Sequence, residues 1–290
     1  MMLPSDSMQL VEIPVIAKSL DVTEPPSGLI RLPTRHNPLL QRVLERVNAD
    51  AELHALWHAQ NVTAVDRLGM SDHGPVHMQI VANIALRLLR LLVEQNITPS
   101  LVVNYALPFQ LGDPDAEVVV VLAALMHDLG MSIHRAEHEH FSLFVAQPLL
   151  DRLLGEFYAP APRAIMRSEI LHAIIAHRAG GKPLTIEAGI VRVADALDMT
   201  KGRSRIVFEQ GKYNIHSVSA AAVEKVEITR GETKSVRVRI VMNNSAGIFQ
   251  VDELMKDKVR GSGIEAYIEI EAVTEGLADK KLVQLLRVAD

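Results

Sequence analysis

The chain has 290 residues, 48% of them hydrophobic, which is enough for a buried core and argues against a disordered protein. Its 30 basic and 35 acidic residues leave a net charge of −5, so the overall charge gives no electrostatic case for nucleic-acid binding. The absence of cysteine excludes disulfides, thiolate metal ligands and a cysteine nucleophile, and it suits a reducing compartment.

The amino-terminal segment lacks the basic stretch and apolar core of a signal peptide. The longest apolar run, residues 116–126, is about half the length needed to cross a bilayer, and it ends directly in a His-Asp pair. The sequence therefore predicts a soluble cytoplasmic protein without a membrane partner.

Residues 1–36 hold short apolar stretches between proline and glycine residues and predict an irregular arm or a short edge strand. Apolar residues then recur with helical spacing, which predicts one helix over 39–60 and another over 77–95. One face of this second helix carries His77, Ile80, Val81, Ile84 and Leu88. We therefore expect His77 to point toward the core.

The apolar run 116–126 predicts a buried helix that stops at Gly130, a residue typical of helix ends. Further helices are predicted over about 138–156, 166–178 and 186–198. From residue 213 the pattern changes to strand, strand, helix and strand, a ββαβ module, followed by a short amphipathic tail. The predicted units are the arm over 1–36, a helical domain over 37–212, and a C-terminal α+β module with its tail over 213–290.

Four residues form an ordered series along the helical domain. His77 lies near the start of one helix, His127 and Asp128 follow fifty residues later at the end of another, and Asp195 lies in the segment RVADALD. Imidazole and carboxylate groups suit divalent first-row metals, and a carboxylate can bridge two of them. A metal pair can activate water and stabilise the charge of a phosphate group, so the series indicates metal-dependent hydrolysis.

This series resembles the HD superfamily of metal-dependent phosphohydrolases, whose pattern is a helix His, a His-Asp pair and a distant Asp. The resemblance is closer to bacterial HD hydrolases of symmetrical diadenosine tetraphosphate than to HD-GYP cyclic-dinucleotide phosphodiesterases. It implies a mainly α protein, an HD-domain helical bundle, here with a small C-terminal α+β (ββαβ) module.

The resemblance also implies further site residues, because the segments around His138, His177 and Arg203 are similar to those of the same branch. It implies a two-metal site in which Asp128 bridges, with Asp128 and Arg203 acting in catalysis. One metal would be held by His77, His127, Asp128 and Asp195, and the other by Asp128, His138 and His177. The sequence does not separate Mn, Fe, Mg, Zn and Ni.

One position departs from the family pattern. Members of the family often carry a lysine three residues after the His-Asp pair, whereas this chain reads HDLGM, with Met131 there. A thioether supplies no charge, so we expect the phosphate to be bound by another cation. The candidates are Arg135, Arg178, Lys201, Arg203 and Arg205, of which Arg203 fits the pattern best. The GYP signature is absent as well, which argues against a cyclic-dinucleotide substrate.

Other histidines near the predicted site have open roles. His172 lies five residues before His177, about 140° around an ideal helix, so the two cannot easily face one metal pair. His140 is separated from His138 in the same way. His73 and His134 each lie four residues before a predicted ligand, and their roles stay open too.

The function predicted from the sequence is hydrolysis of a nucleotide or another small phosphorylated substrate by a metal-activated hydroxide. Two alternatives stay open: an HD-fold di-iron oxygenase with the same ligands, and a regulatory protein whose metal site is structural. For the C-terminal module, homodimerisation by strand pairing, covering of the active site and effector binding all stay open.

Overall fold

A computed structural model describes residues 28–178, 180–199, 219–275 and 285–288. Within these residues a helical bundle precedes a four-stranded sheet, which confirms the predicted mainly α fold with a small C-terminal α+β module. Most of the predicted arm and the predicted boundary between residues 212 and 213 lie outside the described part of the chain.

Eight α-helices form the bundle in the part of the chain described up to residue 199. They are α1 (Pro38–Ala49), α2 (Ala51–Asn61), α3 (Pro75–Glu94), α4 (Ser100–Phe109), α5 (Asp113–Met126), α6 (His138–Leu154), α7 (Pro160–Ile175) and α8 (Ile186–Leu197). A π-helical segment, Val62–Arg67, follows α2, and a 3-10 turn, Leu129–Ser132, follows α5.

The first helical region is divided in two, where the sequence predicted one helix over 39–60. Asp50 adopts an extended conformation after α1, and its side chain accepts a hydrogen bond of 3.0 Å from the backbone N–H of Leu53. A short acidic side chain at such a position satisfies a free N–H at the start of a helix, so Asp50 begins a new helix.

The central helix α3 packs against α5 and α8, and this packing decides which of its faces is buried. His77, Val81 and Leu88 are buried as expected, and Ile84 packs partly buried against the core. Ile80 is exposed, whereas Met78 and Ala82 beside the predicted face are buried too. By length and composition α3 could cross a membrane, yet more than half of its most apolar window lies inside the bundle, which is typical of a core helix.

The C-terminal module is a mixed sheet with a helical connection. Its strands are β1 (Val223–Arg230), β2 (Val236–Met242), β3 (Ile268–Thr274) and β4 (Leu285–Val288), in the order β1-β2-β3-β4. In the described part of the sheet β2 and β3 pair in parallel, and the other neighbours pair antiparallel. A π-helical segment, Gln250–Met255, and the short helix α9, Lys256–Val259, connect β2 to β3. The strand β4 lies in the stretch predicted as an amphipathic tail.

The module is fixed to α8 through Arg192, which is only 3% exposed. Its guanidinium donates hydrogen bonds to the carbonyl oxygens of Lys258 at 2.9 Å, Asp257 at 3.0 Å and Arg178 at 2.8 Å. One turn earlier on α8, a Cβ atom at Gly189 would overlap the carbonyl oxygen of Ser262. The helix therefore packs directly against the main chain of the module.

We expect Gly189→Ala to lower the free energy of unfolding by about 1–3 kcal/mol, because the new methyl group must push α8 away from the module. In a helix interior the same substitution without such a contact would stabilise by about 0.5–1 kcal/mol, so the sign is diagnostic. Urea denaturation measures the change. Gly180→Ala is the control, since a Cβ atom there meets nothing within 4 Å. Equal stability of the two variants would contradict the packing described.

Candidate metal centre

The ends of five helices meet at one buried place. Five of the predicted ligands are almost fully buried, and the sixth, Asp195, has a side chain that is 13% exposed. The six residues are His77 in α3, His127 and Asp128 after α5, His138 at the start of α6, His177 after α7 and Asp195 in α8. We call this group the six-residue cluster. Their role as metal ligands stays a prediction, which their geometry makes testable.

Asp128 lies at the centre of the six-residue cluster, and its two carboxylate oxygens face different imidazoles. The Oδ1 atom lies 2.9 Å from Nε2 of His138 and 3.7 Å from Nε2 of His177. The Oδ2 atom lies 3.4 Å from Nε2 of His127 and 3.7 Å from Nε2 of His77. Each oxygen of this carboxylate would be able to ligate a cation together with the imidazoles that face it.

Asp195 closes one side of the cluster. Its Oδ1 atom lies 3.5 Å from Nε2 of His77 and 3.6 Å from Nε2 of His127, so one carboxylate oxygen faces two imidazoles. These three residues form one group whose ligand atoms lie within 4.8 Å of one another. His127, Asp128 and His177 form a second such group, which shares His127 with the first.

The imidazoles are oriented by hydrogen bonds at the opposite nitrogen. Nδ1 of His127 lies 2.8 Å from the carbonyl oxygen of Ala124, and Nδ1 of His177 lies 2.6 Å from that of Ile174. In both cases the acceptor is three residues earlier, in the last turn of a helix, where carbonyl groups lack intrahelical partners. With the proton held on Nδ1, the lone pair of Nε2 points into the cluster.

Asp198 orients His77 in the same way, a role that was not predicted from the sequence. Its Oδ2 atom lies 2.5 Å from Nδ1 of His77, and both side chains are buried. A carboxylate behind a ligating imidazole fixes the ring and makes it a stronger donor. The signal available in the sequence was a second aspartate one helical turn after Asp195.

A divalent cation fits this donor set. The Nε2 atoms of His77 and His127 are buried, and neither has a hydrogen-bond partner among the described residues. A buried nitrogen without a partner costs free energy, and a cation between the imidazoles and carboxylates would satisfy both atoms. The absence of sulfur ligands leaves nitrogen and oxygen donors, which many divalent metals accept.

The protonation states suit metal binding as well. Burial alone would raise the pKa of Asp128, but the imidazoles around it hold that pKa well below its ordinary value. Burial would likewise raise the pKa of Asp195, and the ammonium of Lys258, followed by His127, lowers it strongly. Burial and the neighbouring His127 hold the pKa of His177 well below its ordinary value. At His127 burial lowers the pKa, but Asp128 and Asp195 outweigh it and raise the pKa of this imidazole. The cluster thus offers ionised carboxylates and a neutral His177 for a metal, while a metal at His127 must compete with a proton.

The remaining histidines separate into near and distant ones. His73 is buried, its ring centroid lies 5.4 Å from that of His77, and its Nδ1 lies 2.7 Å from the carbonyl oxygen of Ser71. His172 lies outside the cluster, where its Nε2 accepts a hydrogen bond of 3.0 Å from the backbone of Leu184.

His134 and His140 are both exposed, and neither belongs to the two groups of ligand atoms. His134 accepts a hydrogen bond of 3.0 Å from the backbone of Ala136. Of the four histidines with open roles, His73 is therefore the one that lies beside the six-residue cluster.

The basic candidates are placed unequally. Arg203 lies outside the described residues, as do Lys201 and Arg205. Arg135 has a guanidinium nitrogen 2.8 Å from Nδ1 of His138, and Arg178 lies 3.3 Å from the carboxylate of Glu139. Met131, at the position of the family lysine, is fully buried.

Two comparisons with known proteins indicate the family of this chain. The family model HD domain matches residues 76–200, a range that includes all six residues of the cluster. The Uncharacterized protein MJ1020 of Methanocaldococcus jannaschii is 42% identical over 233 residues, which cover 80% of this chain and 88% of that protein. The chain belongs to the HD-domain family. HD-domain proteins are generally metal-dependent phosphohydrolases, and the matched range ends before Arg203 and before the C-terminal module.

We expect Asp198→Asn to weaken metal binding about 10- to 100-fold, because the ring of His77 loses the carboxylate that orients and polarises it. Calorimetric titration of the metal-free protein with Mn²⁺ measures this change. Asp252→Asn is the control, since it removes the same charge from an exposed position where Asp252 pairs with Lys256. Equal metal affinity in both variants would show that Asp198 does not act on the site.

Proposed function

We propose that this protein is a phosphohydrolase with a two-cation centre, acting on a nucleotide or a related phosphoester. The observation that carries the proposal is the position of Asp128 between two pairs of imidazoles, one pair facing each carboxylate oxygen. The membership of the HD-domain family supports it, because metal-dependent phosphoester hydrolysis is the general activity of that family.

The six-residue cluster would hold both cations. His77 and His127 face one oxygen of Asp128 and one oxygen of Asp195, and His138 and His177 face the other oxygen of Asp128. When bound, a pair of divalent cations supplies an activated hydroxide for attack on phosphorus and neutralises charge on the phosphate oxygens. Four imidazoles favour iron, nickel or zinc over magnesium, while manganese remains a useful probe.

The residues of the chain prepare the site for this chemistry. Asp128 stays ionised at neutral pH and places a negative charge between the two ligand groups. Asp198 holds a proton at Nδ1 of His77, and the carbonyl oxygens of Ala124 and Ile174 do the same for two other rings. The donors are therefore fixed before a cation arrives, so little reorganisation opposes binding.

The substrate and partners belong to the proposal too. The likeness to diadenosine tetraphosphate hydrolases favours a nucleotide with linked phosphates, oriented in part by Arg203. A homodimer through the C-terminal module is a further proposal, supported by the position of β1 at one edge of the described sheet. Light scattering of the full-length protein gives the oligomeric state directly.

The test of the proposal is phosphate release from a panel of nucleotides and phosphoesters, measured with Mn²⁺, Fe²⁺ or Zn²⁺ and after chelation. We expect activity that disappears on chelation and returns with metal. Asp128→Ala should lose both bound metal and activity, because it removes the carboxylate shared by the two ligand groups. His140→Ala is the control, as His140 is exposed two residues after a ligand.

Two results would overturn the proposal and favour the alternatives. If the protein stays metal-free in excess Mn²⁺ and Fe²⁺, the regulatory role is the alternative that remains. Protein that takes up oxygen with iron and an organic substrate, and releases no phosphate from any member of the panel, would be an oxygenase of the same fold.

A further inference from the structure

The C-terminal module places one cation directly at the six-residue cluster. Nζ of Lys258, in α9, contacts Oδ2 of Asp195, while Oδ1 of the same carboxylate faces His77 and His127. The side chain of Lys258 is only 19% exposed, and its charge also acts on the buried ring of His177. This ammonium therefore lies at the edge of the place where cations would bind.

We propose that Lys258 binds the phosphate group of the substrate, so that the C-terminal module is part of the active site. The proposal rests on the proposed function and names the residue that supplies the charge missing at Met131. The range matched by the HD-domain model ends at residue 200, so Lys258 is a feature of the chain outside that range.

The position of Lys258 is fixed by the helix that carries Asp195. Arg192 lies three residues before Asp195 in the same helix. It donates hydrogen bonds to the carbonyl oxygens of Lys258 and of Asp257. Because Gly189 allows α8 to pack against the main chain at Ser262, the two segments have little freedom to separate. An ammonium held in this way is oriented for binding without a large loss of side-chain entropy.

The other basic side chains described near the cluster are less suited to this role. Arg178 lies 3.3 Å from the carboxylate of Glu139, and the guanidinium of Arg135 lies on the outer side of the ring of His138, at Nδ1. Nζ of Lys258 instead contacts a ligand carboxylate, at the oxygen of Asp195 that does not face His77 and His127. A cation bound by Asp195 neutralises that carboxylate, which weakens its hold on the ammonium and leaves the charge for an anion.

The test compares Lys258→Met with Lys256→Met in the full-length protein loaded with Mn²⁺. Methionine keeps an unbranched apolar side chain but removes the charge, and Lys256 lies in the same helix, paired with Asp252 instead of the cluster. The measurements are bound Mn²⁺ per chain, the dissociation constant of inorganic phosphate by calorimetric titration, and KM and kcat for phosphoester hydrolysis.

We expect Lys258→Met to bind inorganic phosphate about 10- to 100-fold more weakly, since a charge-assisted hydrogen bond is lost. Its Mn²⁺ content should be unchanged, and Lys258→Arg should recover part of the phosphate affinity. Lys256→Met should match the wild-type protein in every measurement. Unfolding by urea checks that Lys258→Met remains folded. Phosphate binding by Lys258→Arg gives a second measurement in a variant that keeps the positive charge.

Two results would overturn the proposal. Unchanged phosphate affinity in Lys258→Met would show that the ammonium does not bind phosphate, and a parallel loss of Mn²⁺ would show that it only positions Asp195. Wild-type protein that binds Mn²⁺ but no phosphate would contradict the role of Lys258. Whether the protein is a hydrolase would then be decided by the phosphate-release assay alone.

Failure of the proposed function gives a different pattern. Wild-type protein that binds Mn²⁺ and phosphate through Lys258, yet hydrolyses no phosphoester, would contradict only the proposed hydrolase activity. Wild-type protein without bound Mn²⁺ would overturn both proposals.

Discussion

The rest of the structure depends on one buried carboxylate, that of Asp128. Removal of a charge from water is costly, so each of its oxygens must have a favourable neighbour. The surrounding imidazoles provide these neighbours, and each ring then needs an acceptor at its other nitrogen. For His127 and His177 that nitrogen lies near the carbonyl oxygen three residues earlier, at Ala124 and Ile174, each in the last turn of a helix. Helix ends have such carbonyls to offer, which explains why the bundle brings its helix ends together here.

Much of the fold and of the site could be predicted because short stretches of the sequence carry the signals for them. Helical periodicity located the bundle, and alternation located the strands of the module. The pattern of His77, the His-Asp pair and Asp195 identified residues that converge, and the family resemblance added His138 and His177. These predictions used only residue types and their spacing along the chain. Packing of the helices then brings the side chains together.

The errors and omissions came from tertiary contacts. Ile80 is exposed because the neighbours of α3, not its periodicity alone, decide which face is covered. The contacts of Asp198 with His77 and of Lys258 with Asp195 join residues 121 and 63 positions apart, so the spacing of Asp198 after Asp195 was the one local signal for either of them. The strand β4 needed the edge of β3 to pair with, which no single segment reveals.

Arg192 has a consequence for how the two halves of the chain behave. Its guanidinium is buried and bonded to main-chain carbonyls of the loop after His177 and of α9. A swinging motion of the module away from α8 would break the hydrogen bonds of Arg192 to Lys258 and Asp257 and would open the close contact of Gly189 with Ser262. Both halves should melt as a single cooperative unit.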